Sequence, residues 1–331
     1  MRDVKPRRIR LEASSVCQLK CVLCSQSNGI IENSIIRKGF LKFSDFKKLV
    51  DANPWVKRIE LSNFGEIFLN PEILDIIRYG YERNIKLTAS NGVNLNNVDE
   101  EVLEGLVKYR FYTLSCSIDG CSNDTYQIYR INGNYDAVIN NIKIINKYKE
   151  KYNSKYPLMR WQFIIFGHNE HEISEAKKKA KELNMKFYLK LNYNPEYSPI
   201  INPEPIRNEL GGYATRDEFN EKMGRLHTEF ICWQLWYYPQ INWDGKVLGC
   251  CINKSIDFGG NVFEDGLLKC LNSENIKYAR LMLLGKKELK EGIPCSECQN
   301  YRGLIESGRI LKRGILISKL IEKVLEKINI R

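Results

Sequence analysis

Three cysteines near the start of the chain have the spacing of a metal-binding loop. They form the segment Cys17-x3-Cys21-x2-Cys24. Thiolates this close on one loop can bind three irons of a cubane iron–sulfur cluster and leave the fourth iron open to an outside ligand. Zinc sites more often combine two pairs of ligands. The triplet therefore predicts a 4Fe-4S cluster, with a zinc site or three unrelated cysteines as the alternatives.

A second set of four cysteines lies in the last third of the chain. Its pattern is Cys232-x12-Gly245-x4-Cys250, followed by Cys295-x2-Cys298. Four thiolates suffice for one fully ligated cluster or for one structural zinc ion. Asp244-Gly245 predicts a hairpin turn that brings Cys232 and Cys250 together.

The remaining cysteines are Cys116, Cys121, Cys251 and Cys270 of a total of 11. In a reducing compartment such a number indicates metal sites rather than disulfides. Cys251 adjoins a predicted ligand, so on an extended strand its side chain points to the opposite face. It is a candidate hydrogen-atom donor or alternate ligand, although packing is favoured, and the other three cysteines are predicted to be structural.

Alternating strand-like and helix-like segments must position the first triplet. Six strands are predicted, at residues 8–12, 56–62, 85–89, 111–117, 158–166 and 186–191. This alternation indicates a parallel sheet with crossover helices. Six units are too few for a closed eight-fold barrel, so the expected fold is an α/β partial (β/α)6 TIM-like barrel. Its active site is expected at the C-terminal ends of the strands.

The chain divides by composition into four predicted segments. They are the barrel (1–191), a connector rich in Pro, Asn and Gly (192–231), a cysteine module (232–300) and a basic C-terminal helix (301–331). Apolar residues recur with helical spacing in the last segment, which predicts a helix packed on the barrel. Docking of this helix on an anionic membrane is the less favoured alternative.

The net charge of +11 indicates either a solvated lysine-rich surface or an anionic partner. There is no nucleic-acid-binding motif. No apolar run is long enough to span a membrane, and the first residues have no signal-peptide pattern. The chain is therefore predicted to be cytoplasmic.

The CxxxCxxC loop after the first strand resembles the signature of the radical S-adenosylmethionine (SAM) superfamily. In that family the open iron binds SAM, whose reductive cleavage gives methionine and a 5′-deoxyadenosyl radical that abstracts a hydrogen atom from the substrate. Residues 62–71 are similar to the family's GGEP segment. The resemblance implies that Gly65 and Glu66 bind SAM, with Glu66 on its amino group, although Phe64 and Ile67 depart from the family pattern.

Four more residues follow later strands at positions similar to family motifs. The resemblance implies that Asn91 and Ser117 face SAM, that Arg130 pairs with the SAM carboxylate and that Gln162 lies close to SAM. Aromatic residues, among them Phe64, Trp161, Phe163 and the segment 233–238, are expected to enclose the site.

The second cysteine set resembles the SPASM and Twitch modules, which hold auxiliary 4Fe-4S clusters. No cysteine follows Cys298. One auxiliary cluster, as in the shorter Twitch pattern, is therefore expected.

The resemblance implies an oxidoreductase or epimerase that acts on a sugar, aminocyclitol or sugar nucleotide, with an external one-electron reductant such as flavodoxin or ferredoxin. The alternative is modification of a peptide or protein. The first predicted strand begins by residue 8, without a preceding leader-binding domain, and this favours a small polar, anionic substrate. A non-catalytic electron carrier or scaffold is the other class, but the Gly65-Glu66 and Ser117 motifs argue against it.

Overall fold

The computed structural model describes residues 1–227 and 232–306. The strands are β1 (Arg8–Leu11), β2 (Arg58–Glu60), β3 (Lys86–Val93), β4 (Thr113–Ser117), β5 (Leu158–Ile165), β6 (Lys186–Leu191) and β7 (Gln240–Ile241). The helices are α1 (Phe43–Ala52), α2 (Ile73–Glu82), α3 (Glu100–Lys108), α4 (Asn123–Tyr129), α5 (Tyr135–Lys151), α6 (Ile173–Glu182), α7 (Pro203–Leu210), α8 (Arg216–Met223), α9 (Gln234–Tyr237), α10 (Leu267–Leu271), α11 (Glu274–Leu283) and α12 (Gln299–Glu306). Short 3-10 helices span Ile67–Leu69, Glu170–Glu172 and Pro294–Glu297.

The strands form one open parallel sheet in the order β6-β5-β4-β3-β2-β1-β7. The six strands predicted from the sequence are all present, and the sheet is that of a partial barrel. The prediction of fold class is therefore confirmed. The seventh strand was not predicted, because a two-residue strand carries no periodic signal.

The two faces of the sheet differ in chemistry. Residues such as Ile9, Ile59, Leu87, Leu114 and Trp161 are buried in the core shared with the helices. Because successive strand residues point to opposite faces, their neighbours lie on the other side of the sheet. That second side, named here the concave face, is mostly polar from β1 to β6, with Leu158 and Ile164 of β5 as exceptions.

The C-terminal module contains, after α9, a hairpin whose turn is at Asp244-Gly245, as predicted. Ile241 pairs antiparallel with Val247, and the Gly245 amide donates to the Asn242 carbonyl at 3.0 Å. Gly245 has φ +88°, a conformation that favours glycine. The first strand of this hairpin is β7, which pairs with β1. The module thus extends the barrel sheet, and the domain boundaries stay a prediction.

The predicted C-terminal helix lies mostly outside the described residues, since the structure describes it only as far as Glu306 in α12. Its packing on the barrel therefore stays a prediction. In the described part of the chain, no helix combines the length and apolar character needed to cross a membrane.

Arg280 of α11 is the largest polar side chain buried in the module. Its guanidinium donates to the carbonyls of Leu235 and Leu271 and to the Asn272 side chain, at distances of 2.7 to 3.2 Å. Burial lowers the Arg280 pKa to about 10. These bonds join α11 to α9 and α10.

We expect Arg280→Met to lower the free energy of unfolding by about 3 kcal/mol or more, because several buried carbonyls lose a charged donor. Denaturant unfolding followed by tryptophan fluorescence measures this loss. Lys286→Met, at an exposed position after α11, is the matched control and should change stability by less than about 0.5 kcal/mol. Equal stability of the two variants would contradict the role given to Arg280.

Candidate functional site

All nine residues predicted for the first cluster and for SAM line one cavity. This barrel cavity has a volume of about 370 Å³ and lies at the C-terminal ends of the strands. The predicted residues in its wall are Cys17, Cys21, Cys24, Gly65, Glu66, Asn91, Ser117, Arg130 and Gln162. Loops far apart in the sequence thus meet because the carboxyl ends of parallel strands share one edge of the sheet.

The cysteine loop follows β1 directly and is tied to the segment around the end of α4. The Lys20 amide donates to the Ile131 carbonyl at 2.9 Å, and the Val22 amide donates to the Tyr129 carbonyl at 3.4 Å. The loop turns tightly at Cys21, whose carbonyl accepts the Cys24 amide at 3.0 Å. These bonds aim the sulfurs into the barrel cavity.

The thiols of Cys17 and Cys21 are buried and have raised pKa values. Burial, with a smaller contribution from the Glu66 charge, raises the pKa of Cys17 to about 12. Burial also raises the pKa of Cys21, although the nearby Arg130 acts in the opposite direction. Each of these two thiols also feels the charge of Cys24. Iron ions in place of the thiol protons would offset the charge of the deprotonated sulfurs in this buried loop, so the donor set fits an iron–sulfur cluster.

Gly65 brings the second loop against the first. A Cβ atom on Gly65 would lie 2.4 Å from the Ser14 carbonyl oxygen and 2.6 Å from that of Val16. The next amide, of Glu66, donates to the Val16 carbonyl at 2.8 Å. Only glycine permits this approach, which places Glu66 beside the start of the cysteine loop.

The Glu66 carboxylate is almost fully buried. It accepts the Phe68 amide at 3.3 Å and the Asn94 amide at 2.5 Å. Burial raises the Glu66 pKa to about 7, against the effect of these amides. The carboxylate therefore holds the short helix Ile67–Leu69 and the end of β3 while it lines the barrel cavity. Its predicted contact with the SAM amino group stays a prediction.

Asn91, Ser117 and Gln162 form one hydrogen-bonded group across β3, β4 and β5. The Gln162 amide donates to the Asn91 carbonyl at 3.0 Å and to the Ser117 hydroxyl at 3.4 Å. Gly92 permits this, because its Cβ would lie 2.3 Å from the Ser117 hydroxyl. The group presents amide and hydroxyl donors and acceptors to the barrel cavity.

Arg130 is held by a residue that the sequence did not single out for this purpose. Its guanidinium pairs with the buried Asp119 at 2.6 Å and donates to the Cys21 sulfur at 3.5 Å. A fixed cation beside a thiolate stabilises the charged, metal-binding form. Arg130 is thus a positioning group for the cysteine loop, and its pairing with the SAM carboxylate stays a prediction.

Other residues of the site were missed at the sequence level. Asn94 donates to the Cys17 sulfur at 3.7 Å, and Asn63 donates to the Cys251 carbonyl at 2.9 Å. Lys190, at the end of β6, also lines the barrel cavity. Each lies at or just beyond the end of a strand, so strand position alone could have drawn attention to them.

The aromatic enclosure was predicted correctly only in part. Phe64 lines the barrel cavity. Trp161 and Phe163 do not, because they point to the helix-covered side of β5 and are fully buried in the core. Strand alternation, which separates them from Gln162, is the reason.

The four cysteines of the second set line a second cavity of about 440 Å³, named here the module cavity. Burial raises the pKa of Cys232 to about 11 and that of Cys250 to about 12. Burial also raises the pKa of Cys295. The charges of Cys232, Cys250 and Cys298 raise it further. These buried, mutually interacting thiols fit a fully ligated cluster.

In both cavities the thiols surround a space. Across residues 1–227 and 232–306, no three His, Cys, Asp or Glu side chains are grouped as ligands to a single metal ion. None of the cysteines is in a disulfide. Cavities of this volume lined by thiols suit a polynuclear cluster.

Cys251 faces neither cavity. Its sulfur accepts from the Gln234 amide at 3.3 Å, and its backbone amide donates back to Gln234 at 2.9 Å. Its carbonyl is held by Asn63. Cys251 therefore contributes a backbone link between the module and the barrel, and a role as hydrogen-atom donor stays a prediction.

Comparisons with known proteins agree with this arrangement. Residues 232–299 match the SPASM iron–sulfur cluster-binding domain. The fold is similar to that of SuiB from Streptococcus suis bound to S-adenosylmethionine, with a TM-score of 0.61, 15% identity and coverage of 90% of this chain and 72% of that chain. SuiB bound to precursor peptide SuiA gives a TM-score of 0.60, 15% identity and coverages of 90% and 70%. The anSMEcpe structure with bound AdoMet gives 0.56, 14% identity and coverages of 90% and 84%. No curated protein sequence matches the chain.

The chain thus shares its fold with structures solved with bound S-adenosylmethionine, and its residues 232–299 match an iron–sulfur cluster-binding domain. The predicted auxiliary iron–sulfur module is confirmed by the SPASM match. The prediction that this module holds one auxiliary cluster through four cysteines, as in the Twitch pattern, stays a prediction.

We expect Gly65→Ala to displace the start of the cysteine loop, because its Cβ meets backbone atoms that cannot rotate away. Iron bound after anaerobic reconstitution should fall by up to about half, as expected if one of two cubane clusters is lost. Gly303→Ala is the control, since its Cβ would have 3.6 Å to the nearest side chain. Full iron retention in Gly65→Ala would show that the close approach does not support the loop.

Proposed function

We propose that this protein reductively cleaves SAM and uses the resulting 5′-deoxyadenosyl radical to abstract a hydrogen atom from a small polar, anionic substrate. The observation that carries the proposal is the convergence of three cysteines, Glu66, Arg130 and Gln162 on one cavity. An electron carrier needs cluster ligands but no such set of polar groups beside them. The net outcome for the substrate is epimerisation or oxidation of a sugar-like molecule.

The chain's own residues have separate tasks in this proposal. Cys17, Cys21 and Cys24 hold a 4Fe-4S cluster, which when bound supplies the electron for SAM cleavage. Glu66 accepts from the SAM ammonium group, while Arg130 offers its guanidinium to the SAM carboxylate. The Asn91, Ser117 and Gln162 group orients the rest of SAM. Phe64 limits the access of water to the radical.

The electron comes from outside the chain, from a one-electron reductant such as flavodoxin or ferredoxin. The module cavity, with its four cysteines, holds the auxiliary cluster. Asn63 connects the two sites structurally. It lines the barrel cavity, and its side chain donates a hydrogen bond to the carbonyl of Cys251, next to the proposed ligand Cys250. An epimerisation needs a hydrogen atom returned to the substrate, and an oxidation needs an electron taken from it. The auxiliary cluster is the candidate acceptor of that electron, while Cys251, the hydrogen-atom donor considered from the sequence, lines neither cavity.

Modification of a peptide or protein is the second candidate function. The observation that favours it is the similarity of the fold to SuiB, which has been solved with a precursor peptide. The net charge of +11 favours an anionic substrate in either case.

The first test is chemical. Anaerobically reconstituted protein should carry about eight irons and eight sulfides and, once reduced, release 5′-deoxyadenosine from SAM. A triple variant with alanine in place of Cys17, Cys21 and Cys24 should lose about half of the iron and should no longer release 5′-deoxyadenosine. Cys121→Ala, outside both cavities, should retain both properties. Iron that is fully retained in the triple variant, or zinc in both sites, would refute the proposal.

A second test concerns SAM binding. Glu66→Gln removes the charge that we assign to the SAM ammonium group and keeps an acceptor for one of the two amides, those of Phe68 and Asn94, that the two Glu66 oxygens accept. The binding free energy of SAM, measured by calorimetry on cluster-loaded protein, should become less favourable by about 1.5–3 kcal/mol. The iron content should stay unchanged. Glu72→Gln is the control, because that carboxylate holds the Phe43 amide and does not line the barrel cavity. Equal SAM affinity in the two variants would exclude Glu66 from SAM binding.

A further inference from the structure

The two edges of the sheet differ in how they are covered. At one edge, β7 is covered by the second strand of its hairpin, through the bridge from Ile241 to Val247. At the other edge, β6 pairs with β5 over six consecutive residues. Within residues 1–227 and 232–306, the other side of β6 has no backbone hydrogen-bond partner. This side of residues 186–190 is named here the open edge.

An open edge is a template on which another extended chain can pair. Its unpaired N–H and C=O groups can accept an added strand, and proteins usually shield such edges with proline, bulges or charged side chains. β6 contains no proline, and its register with β5 is continuous. What shields the open edge is charge, from the exposed residues Lys186 and Lys190. The edge therefore excludes some partners by their charge and leaves others free to bind.

The side chains of the open edge alternate between two environments. Phe187 and Leu189 are partly buried and pack against the helix-covered core. Lys186, Tyr188 and Lys190 point to the concave face, because successive strand residues point to opposite sides. The Lys186 ammonium lies 5.0 Å from the centroid of the Tyr188 ring. A strand added here would meet a cation, an aromatic ring and a second cation along its concave side.

The two lysines are available to a partner. In the described part of the chain, neither forms an ion pair with a carboxylate. Lys190 feels the charge of Asp119, but that carboxylate already pairs with Arg130 at 2.6 Å. The open edge thus presents positive charge to whatever pairs with it, and this favours an acidic strand.

A second copy of this chain is a poor occupant of the open edge. Antiparallel pairing of two β6 strands centred on Tyr188 would set Lys186 of each copy opposite Lys190 of the other. Like charges directly opposite each other on neighbouring strands are destabilising, whereas opposite charges there are favourable. An acidic segment of another molecule therefore fits better than β6 itself.

The open edge leads to the barrel cavity. Lys190 lines this cavity, and so does Tyr193, just beyond the end of β6. Lys186 lies four residues earlier, at a distance of about 13 Å along the strand. An extended chain paired with β6 would therefore have one end at the barrel cavity and would bind mostly outside it.

We propose that the open edge of β6 binds an acidic, extended peptide segment as an added strand. The backbone of β6 supplies main-chain hydrogen bonds, while Lys186 and Lys190 each pair with a different acidic side chain of the peptide. The inference rests on the second candidate function, in which the substrate is a peptide, because the open edge would guide that peptide to the barrel cavity.

The first test measures peptide binding to the full, cluster-loaded chain by fluorescence anisotropy. The probe is a fluorescein-labelled peptide of eight residues that alternates glutamate with threonine. It should bind, and its counterpart with lysine in place of glutamate should not. No binding of the acidic peptide, or equal binding of the two peptides, would overturn the inference.

Two methylated peptides test the main-chain pairing. One carries N-methyl groups on all its glutamates and the other on all its threonines. In an added strand only alternate amides face the edge, so one methylated peptide should lose binding and the other should retain it. Attraction by charge alone would leave both peptides bound equally, and that result would contradict an added strand.

A protein variant tests the position of the binding surface. Lys186→Glu reverses a charge on the open edge without touching the wall of the barrel cavity. It should bind the acidic peptide at least roughly threefold more weakly than the wild type does. Lys143→Glu, at an exposed position on α5, makes the same change in net charge and should bind like the wild type. Equal affinity of the two variants, both shown to be folded by thermal unfolding, would place the peptide elsewhere and overturn the inference.

Two further measurements separate this inference from its alternatives. A dimer in sedimentation equilibrium that Lys186→Glu strengthens would show that a second copy occupies the open edge, against the inference. SAM cleavage without peptide tests the proposed function by itself. Protein that releases 5′-deoxyadenosine but does not bind the acidic peptide overturns the open-edge site alone. Protein that binds the peptide through Lys186 but never cleaves SAM overturns the proposed function and retains the peptide-binding edge.

Discussion

The backbone of Gly65 lies against the backbone of residues 14–16, and the candidate site depends on this contact. One amide bond, from Glu66 to the Val16 carbonyl at 2.8 Å, joins the loop after β2 to the start of the cysteine loop. Cys17 on the cysteine loop and Glu66 on the loop after β2 both line the barrel cavity. The contact needs a residue without a side chain, because backbone atoms stand where a Cβ would be. The positions of the three cysteines and of the polar groups beside them follow from how closely these two loops approach.

The sheet supports this contact through two buried carboxylates on its concave face. Glu12 accepts the amides of Phe64 and Gly65, and Glu60 accepts those of Ser90 and Asn91. Burial raises the pKa of Glu12 to about 8, against the effect of these amides. A buried carboxylate is costly unless it is hydrogen-bonded, so the loops and the carboxylates stabilise one another. The apolar face of the same strands packs on the helices and keeps the strand ends in register.

The C-terminal module is part of this arrangement rather than an appendage. Its strand β7 extends the sheet beside β1, and Gln240 on β7 accepts from Arg10 at 2.9 Å. Its loop after Cys250 meets the barrel at Asn63, while Lys254 donates to Ser25, next to Cys24, at 2.8 Å. The two cysteine sets are thus held in one hydrogen-bonded structure. A displacement of either loop would therefore move residues at the other site.

The sequence by itself determined the cysteine spacing, the six alternating strands, the hairpin turn at Asp244-Gly245 and the strand-end positions of the polar residues. These are local properties, set by periodicity, turn chemistry and short-range spacing. Only the tertiary structure decided that β7 pairs with β1, that Arg130 is anchored by Asp119, and that Trp161 faces the helices. The physical reason is that pairing and register between distant segments depend on how the whole chain packs, so no local pattern contains them.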